Sequence, residues 1–205
     1  MTTTFENHGN HEILDFVNTL GNRFYQEEAD RLQSHEDLLA FCQEFGLLSE
    51  EDAQQLVPHG TATQQEVLTA ARYLRELLFE VFVQIADRAD TVRPDVSGSD
   101  AVYELGRSIH SAEQARVLAV SEEKLVWRWQ DPRDPMRPVA ELALAAKHFI
   151  STCDHKRLRK CAAHDCGVLF LDRSRSGRRQ WCSMSECGNR SKVSRFRTRQ
   201  ASGTA

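Results

Sequence analysis

The sequence predicts a mainly α-helical chain: a helical N-terminal region with one small β-hairpin, then a small C-terminal hairpin-plus-helix module. Three observations predict it. Apolar residues recur at helical spacing through most of residues 1–155. One stretch near residue 120 alternates instead, as a half-buried strand does. The charge also changes sign near residue 155. Residues 1–155 hold 13 Lys+Arg against 27 Asp+Glu, and residues 156–205 hold 13 against three, so a net −4 hides a −14 part and a +10 part. The boundary is therefore set between 1–155 and 156–205. With 205 residues, 40% of them hydrophobic, the chain suffices for one or two domains with a real core.

The elements follow in order. HEILDFVNTL places Ile13, Leu14, Phe16, Val17 and Leu20 on one helical face, interrupted by Asp15 and Asn18. SHEDLLAFCQEFGLL repeats the pattern, with Ser34 as N-cap and Gly46 as the terminating glycine. The strongest helix is TQQEVLTAARYLRELLFEVFVQIAD. Its apolar stripe runs from Val67 to Ile85, and Thr63 and Glu66 have capping-box spacing. DTVRPDVSGSD reads as a loop, and a helix is expected over about 99–116. RVLAVSEEKLVWRWQ alternates around Ser-Glu-Glu-Lys and predicts a hairpin whose tryptophans cap the helical core. Pro135 or Pro138 opens a last helix with Val139, Leu142, Ala143, Ala146, Phe149 and Ile150 on its buried face.

Several function classes receive no support. No run of eighteen apolar residues occurs, so no membrane span is expected. MTTTFENHGN is no secretory signal, which points to a reducing cytoplasm. There six cysteines are read as free thiols or metal ligands rather than disulfides.

The chemistry lies in Cys161, Cys166, Cys182 and Cys187, spaced C-x4-C-x15-C-x4-C. Each close pair offers two thiolates from one tight turn. The intervening segment is long enough to bring the turns together around one tetrahedral structural zinc ion. Gly167 and Gly188 each follow the second cysteine of a pair and are expected to relax the backbone there. A fifty-residue segment buries little apolar surface, so the metal would supply much of its folding free energy. Two alternatives stand beside this: four unrelated or disulfide-bonded cysteines, or His164 replacing one thiolate. Cys42 reads as a core residue.

Beyond Cys187 the chain reads as a basic helix with Lys192, Arg195 and Arg199 on one face and Arg190 and Arg197 on the other side. Val193 and Phe196 make a narrow stripe expected to pack on the zinc hairpin. With Arg173, Arg175, Arg178 and Arg179 on the turn, these cations suit nucleic-acid phosphates. The competing reading is a solvated charged tail.

RKCAAHDCGVLFLDRSRSGRRQWCSMSECGNRSKVSRFRTR resembles the CGNR zinc finger over residues 159–199, the motif standing here as Cys187-Gly188-Asn189-Arg190. Upstream, LDFVNTL and the helix around ARYLRELL resemble the ABATE domain. The resemblance implies a bacterial transcription regulator with an all-helical N-terminal domain and a zinc-binding, DNA-binding C-terminus. In that context Asn189 is expected to cap the basic helix. Arg190 then sits in its first turn, where the helix dipole disfavours a cation, so an anion or a carboxylate such as Asp172 is expected to hold it.

For the N-terminal region three readings compete. Asp15, Asn18, Thr19 and Arg23 could line a pocket for a small-molecule effector. The region could make a homodimer. Its −14 charge could also cover the +10 module. His11, Glu12 and Asp15 resemble a metal cluster only at a spacing common by chance. No HExxH, GxSxG or phosphate-binding glycine loop occurs, and four cysteines close a zinc shell, so no catalysis is expected. The alternative to a DNA-binding regulator is a zinc-dependent protein- or RNA-interaction module.

Overall fold

A computed structural model describes residues 5, 9–21, 23, 29–56, 60–86 and 100–202; the side chains of 195, 196, 198, 199, 201 and 202 lie outside this description. The N-terminal region is helical. Helix α1 (Glu12–Val17) is short and sunk into the core, with Ile13, Leu14, Phe16 and Val17 fully buried. It ends at Val17, so Leu20 falls on strand β1 (Leu20–Gly21), paired antiparallel with β2 (Ala29–Asp30). Helix α2 (His35–Glu44) starts on a capping box: Ser34 Oγ accepts from Asp37 N, and the Asp37 carboxylate accepts from Ser34 N. Gly46 follows its end with φ +71°, a conformation that costs glycine little. Helix α3 (Glu50–Gln55) is capped by Ser49.

Helix α4 (Thr61–Ala86) is the central element, burying Val67, Leu68, Ala71, Leu74, Leu78 and Phe82. It begins two residues before the expected Thr63 cap. Gln64 N already donates to Gly60 O, so Thr63 lies inside the first turn. The stripe also contains one cation. Arg75 is 2% exposed and donates Nη1 and Nη2 to Asp30 at 2.7 and 2.9 Å, tying β2 to the helix. Burial pushes the Asp30 carboxyl up, but Arg75, the Leu32 N–H and nearby Arg72 together hold it below the usual value.

Helix α5 (Asp100–Gln114) stops short of the expected 116, because strand β3 (Arg116–Ser121) begins there. Of the loop read at 90–100, all but Asp100 lies outside the described residues. Strand β3 pairs with β4 (Lys124–Trp129) from Arg116↔Trp129 to Ser121↔Lys124. The two-residue turn puts Glu122 and Glu123 at φ +48° and +63°, the left-handed pair a type I′ turn needs. Glutamate adopts it at a cost of about 1 kcal/mol or more per residue. The tryptophans divide. Trp129 packs at the root, donating Nε1 to Glu141, whereas Trp127 is 59% exposed and does not cap the core.

Helix α6 (Arg137–Thr152) starts with Pro138 in its first turn and buries Leu142, Ala143, Ala146 and Phe149. A 3-10 turn (His155–Arg157) then leads into β5 (Leu158–Lys160), antiparallel to β6 (Leu169–Leu171). Leu158 and Leu169 join the large helical core. Phe170, on the other face of β6, joins a smaller cluster with Cys161, Cys182 and Cys187. One strand thus serves two cores, which fixes the cysteine module against the helices. A π-turn (Met184–Gly188) runs directly into α7 (Asn189–Ser202). No helix among the described residues is long and apolar enough to cross a membrane.

Candidate metal centre and nucleic-acid interface

The two cysteine turns are built by backbone hydrogen bonds. Cys161 N donates to Val168 O and Cys166 N to Ala163 O, closing the first turn. Gly188 N donates to Ser183 O in the second, and Ala162 N donates to Gln180 O between the turns. The result is a group of four Sγ atoms all within 4.8 Å of one another. Cys166–Cys182 is 3.7 Å and Cys182–Cys187 is 3.6 Å. A tetrahedron of thiolates around zinc has an S···S edge of about 3.8 Å, whereas a disulfide needs about 2.05 Å. The donor set fits one zinc ion and no pairwise bond. His164 is exposed and takes no part in the cluster.

The protonation pattern points the same way. Hydrogen bonds from Cys166 and then Cys182 pull the Cys161 thiol down to about 2. The same bond to Cys161 pushes Cys166 up to about 12, and bonds to Cys161 and Cys166 push Cys182 up as well. Burial, then the charge on Cys161, pushes Cys187 up. Zinc ligation takes all four cysteines as thiolates, and a divalent cation would offset the charge that this brings together.

A Cβ at position 188 would lie 2.8 Å from Met184 Sδ, the far end of a half-exposed side chain that can turn aside. Neither Gly167 nor Gly188 has a positive φ, contrary to expectation. Asn189 is not an N-cap, since its φ and ψ of −66° and −45° are helical. Ser183 caps instead, its side chain accepting from Glu186 N at the start of the π-turn. Hence Arg190 is not in an isolated first turn, and its partner is not Asp172. Arg190 Nη2 donates to Asp165 Oδ1 at 3.0 Å and Nε lies 2.5 Å from Oδ2. Nη2 also approaches Cys187 Sγ at 3.3 Å. Asp165 belongs to the first cysteine turn and Cys187 to the second, so the guanidinium braces one turn to the other. Asp172 is fully buried and closes the arginine-rich turn, accepting from Ser174 N and Arg179 N at 2.8 and 2.9 Å. Burial pushes its carboxyl up, and these bonds more than offset that.

The basic residues therefore sort into two groups. Arg179 stacks on Phe170 and donates to Trp181 O and Cys182 O, and Arg190 braces the thiolates. Arg173, Arg175 and Arg178 stand exposed on the turn, and Lys192 and Arg197 on α7. Among the described residues Arg175 and Arg178 make no ion pair. Helical periodicity puts Arg195 and Arg199 on the Lys192 face, but their side chains, like that of Phe196, lie outside the described residues. Val193 is 50% exposed and does not pack on the zinc hairpin as expected.

Two families match the sequence, and no curated protein does. Residues 157–200 match the CGNR zinc finger, and residues 10–152 match ABATE, described as "Putative stress-induced transcription regulator". The chain is a member of the ABATE family. Its CGNR module, with four clustered cysteines, is a zinc finger for one zinc ion. A zinc ion there would cross-link the two turns through all four thiolates.

In this ABATE protein the four residues read as a pocket do not stay together. Asp15, Asn18 and Thr19 line a cleft of about 200 Å³ with Arg31, Asp165, Glu186 and Arg190, where the ABATE helices meet the zinc finger. Arg23 lies elsewhere, ion-paired to Glu76 and over the Phe79 ring. The three cleft residues also carry structural bonds. Asp15 accepts from Gly9 N, and Thr19 Oγ1 accepts from Arg75 Nη1. Asn18 clips β6, its Nδ2 donating to Leu169 O at 2.8 Å and its Oδ1 accepting from Leu169 N at 3.0 Å. Sequence reasoning missed Asp165 and Arg31, because nothing local marks them. Sequence reasoning also passed over Arg75, although a lone arginine inside an apolar stripe is the kind of signal that marks a buried ion pair. His11 caps α1 and packs against Phe149, with ring centroids 4.5 Å apart and the rings tilted by 60°, rather than joining a metal cluster.

Proposed function

We propose that this protein is a DNA-binding transcription regulator. In it the zinc finger presents the 173–178 turn and helix α7 to nucleic-acid phosphates. The observation that carries this reading is the division of labour among the cations. Arg179 and Arg190 are consumed by the module's own architecture, whereas Arg173, Arg175, Arg178, Lys192 and Arg197 face solvent. Side chains kept only to neutralise a thiolate site would all cluster there; a separate exposed set suits phosphate contacts. The protein would work in the cytoplasm, where reduced thiols keep the site loaded.

A second element of the proposal is sensing. The cleft has one wall from the ABATE helices and the other from the residues that hold Arg190. A small effector bound there would act directly on the brace at the head of α7.

The test is a titration of zinc-loaded protein against pooled genomic fragments at rising salt, with the bound fragments sequenced. Enrichment of particular fragments that survives physiological salt is the expected result. Uniform binding that collapses with salt would reduce the activity to phosphate attraction. No binding with zinc in place would transfer the function to a protein- or RNA-interaction module.

A further inference from the structure

The β3–β4 hairpin is held to the body at its root, where Trp129 bonds Glu141 and Arg116 lies over the Trp129 ring. Beyond the root its register puts Leu118 opposite Trp127 and Val120 opposite Leu125 on one face. These four side chains are 54%, 59%, 73% and 70% exposed, in that order. Together they leave on the order of 450 Å² of apolar side chain in water, the size of the largest patch on a typical monomer, which often has a function. A stable interface takes about 800 Å² from each partner, so this patch would form the apolar centre of one. Trp127 is the kind of residue that dominates such centres.

We propose that this face is the contact between two copies of the chain, hairpin on hairpin, the tip of one over the root of the other. Two features select a second copy as the occupant. First, the charges complement under a two-fold axis. Glu122 and Glu123 sit at the tip, and a recess of about 240 Å³ under the root is lined by Arg116, Trp127, Leu144 and the Lys147–Glu113 ion pair, two cations against one carboxylate, so Arg116 leaves it net positive. A two-fold passing near the middle of the strands stacks the apolar pairs of the two hairpins. It also carries each acidic tip to the other copy's basic root, the self-complementarity an isologous dimer requires. Second, the tip acids are there against local preference. Both occupy left-handed positions that Asn-Gly would take with less strain, so turn formation does not explain them. The dimer would carry two zinc fingers and gain affinity for a two-site DNA by linkage. Only that last consequence rests on the DNA-binding reading.

The test is sedimentation equilibrium of the zinc-loaded full chain over a wide concentration range, which is read without DNA and so fails independently of DNA binding. We expect a reversible dimer. Trp127→Glu weakens it about thirtyfold or more, as loss of a central aromatic does. Leu125→Glu does likewise, and both variants keep the wild-type circular dichroism spectrum because both side chains are exposed on the single chain; their melts match wild type only at concentrations where the wild type is monomeric. Glu122→Arg with Glu123→Arg weakens the dimer, and adding Arg116→Glu restores it. A chain that stays monomeric overturns the proposal, as does a dimer that both Trp127→Glu and Leu125→Glu leave unchanged. A dimer insensitive to the tip reversal overturns the tip-over-root arrangement.

Discussion

Replacing Arg190 separates two roles a motif arginine can have. Its guanidinium makes a two-point contact with Asp165 and a third contact with Cys187 Sγ, spanning both cysteine turns. The side chain is about half exposed, so solvent screens the ion pair and its Coulomb contribution to stability is small. The effect should appear in the metal. Removing a group that bonds a ligand sulfur and orients the opposite turn typically costs about 10- to 100-fold in metal affinity. Arg190→Ala should therefore lose zinc to a competing chelator about 10- to 100-fold more readily than wild type. Arg190→Lys should rescue only part of this, since an ammonium cannot make the planar two-point contact. Under saturating zinc, the slope of log K against log salt for DNA should stay at the wild-type value, because a contacted phosphate would contribute about one unit. The assay is chelator competition paired with a salt titration. Wild-type zinc retention in Arg190→Ala, or a slope lowered by a full unit with zinc in place, would refute the brace.

The converse holds for the exposed set: Arg175→Ala and Arg178→Ala should each lower the salt slope by about one unit without changing zinc retention. Asn18→Ala strips both bonds from Leu169 at a partly buried seam and should lower stability by about 2 kcal/mol in a denaturant melt; an unchanged midpoint would mean β6 docks through its apolar face alone. Asp30→Asn removes the two-point carboxylate contact from buried Arg75, leaving Glu76 Oε1 at 3.0 Å as its remaining carboxylate, and should cost about 2 kcal/mol. Because the Asp30 pKa is lowered on folding, its contribution is present above the unfolded value of 3.8 and is lost as pH falls through the folded value. The Asp30→Asn penalty should thus shrink as pH drops below about 4.

The sequence by itself determined what depends on near neighbours. The Ser34 cap, the Gly46 stop and a proline start of the last helix, at Pro135 or Pro138, are written within a few residues of where they act; the structure selects Pro138. The same is true of the β3–β4 register and of the two cysteine turns, whose four-residue spacing sets the thiolates in pairs. Tertiary structure decided what depends on residues far apart in sequence. The sequence points to a carboxylate for Arg190 but not to the right one, because Asp165 is 25 residues away, on the other cysteine turn. Asn18 reads as a pocket residue and does line the cleft, but its bonds to the Leu169 backbone, 151 residues off, leave no local mark. Trp127 and Trp129 share one strand pattern, yet only the position of α6 separates the anchored tryptophan from the exposed one. Hydrogen bonds and burial act over a few ångströms of space, and sequence reports that distance only where the chain is local; once it folds back, the partner is chosen by packing.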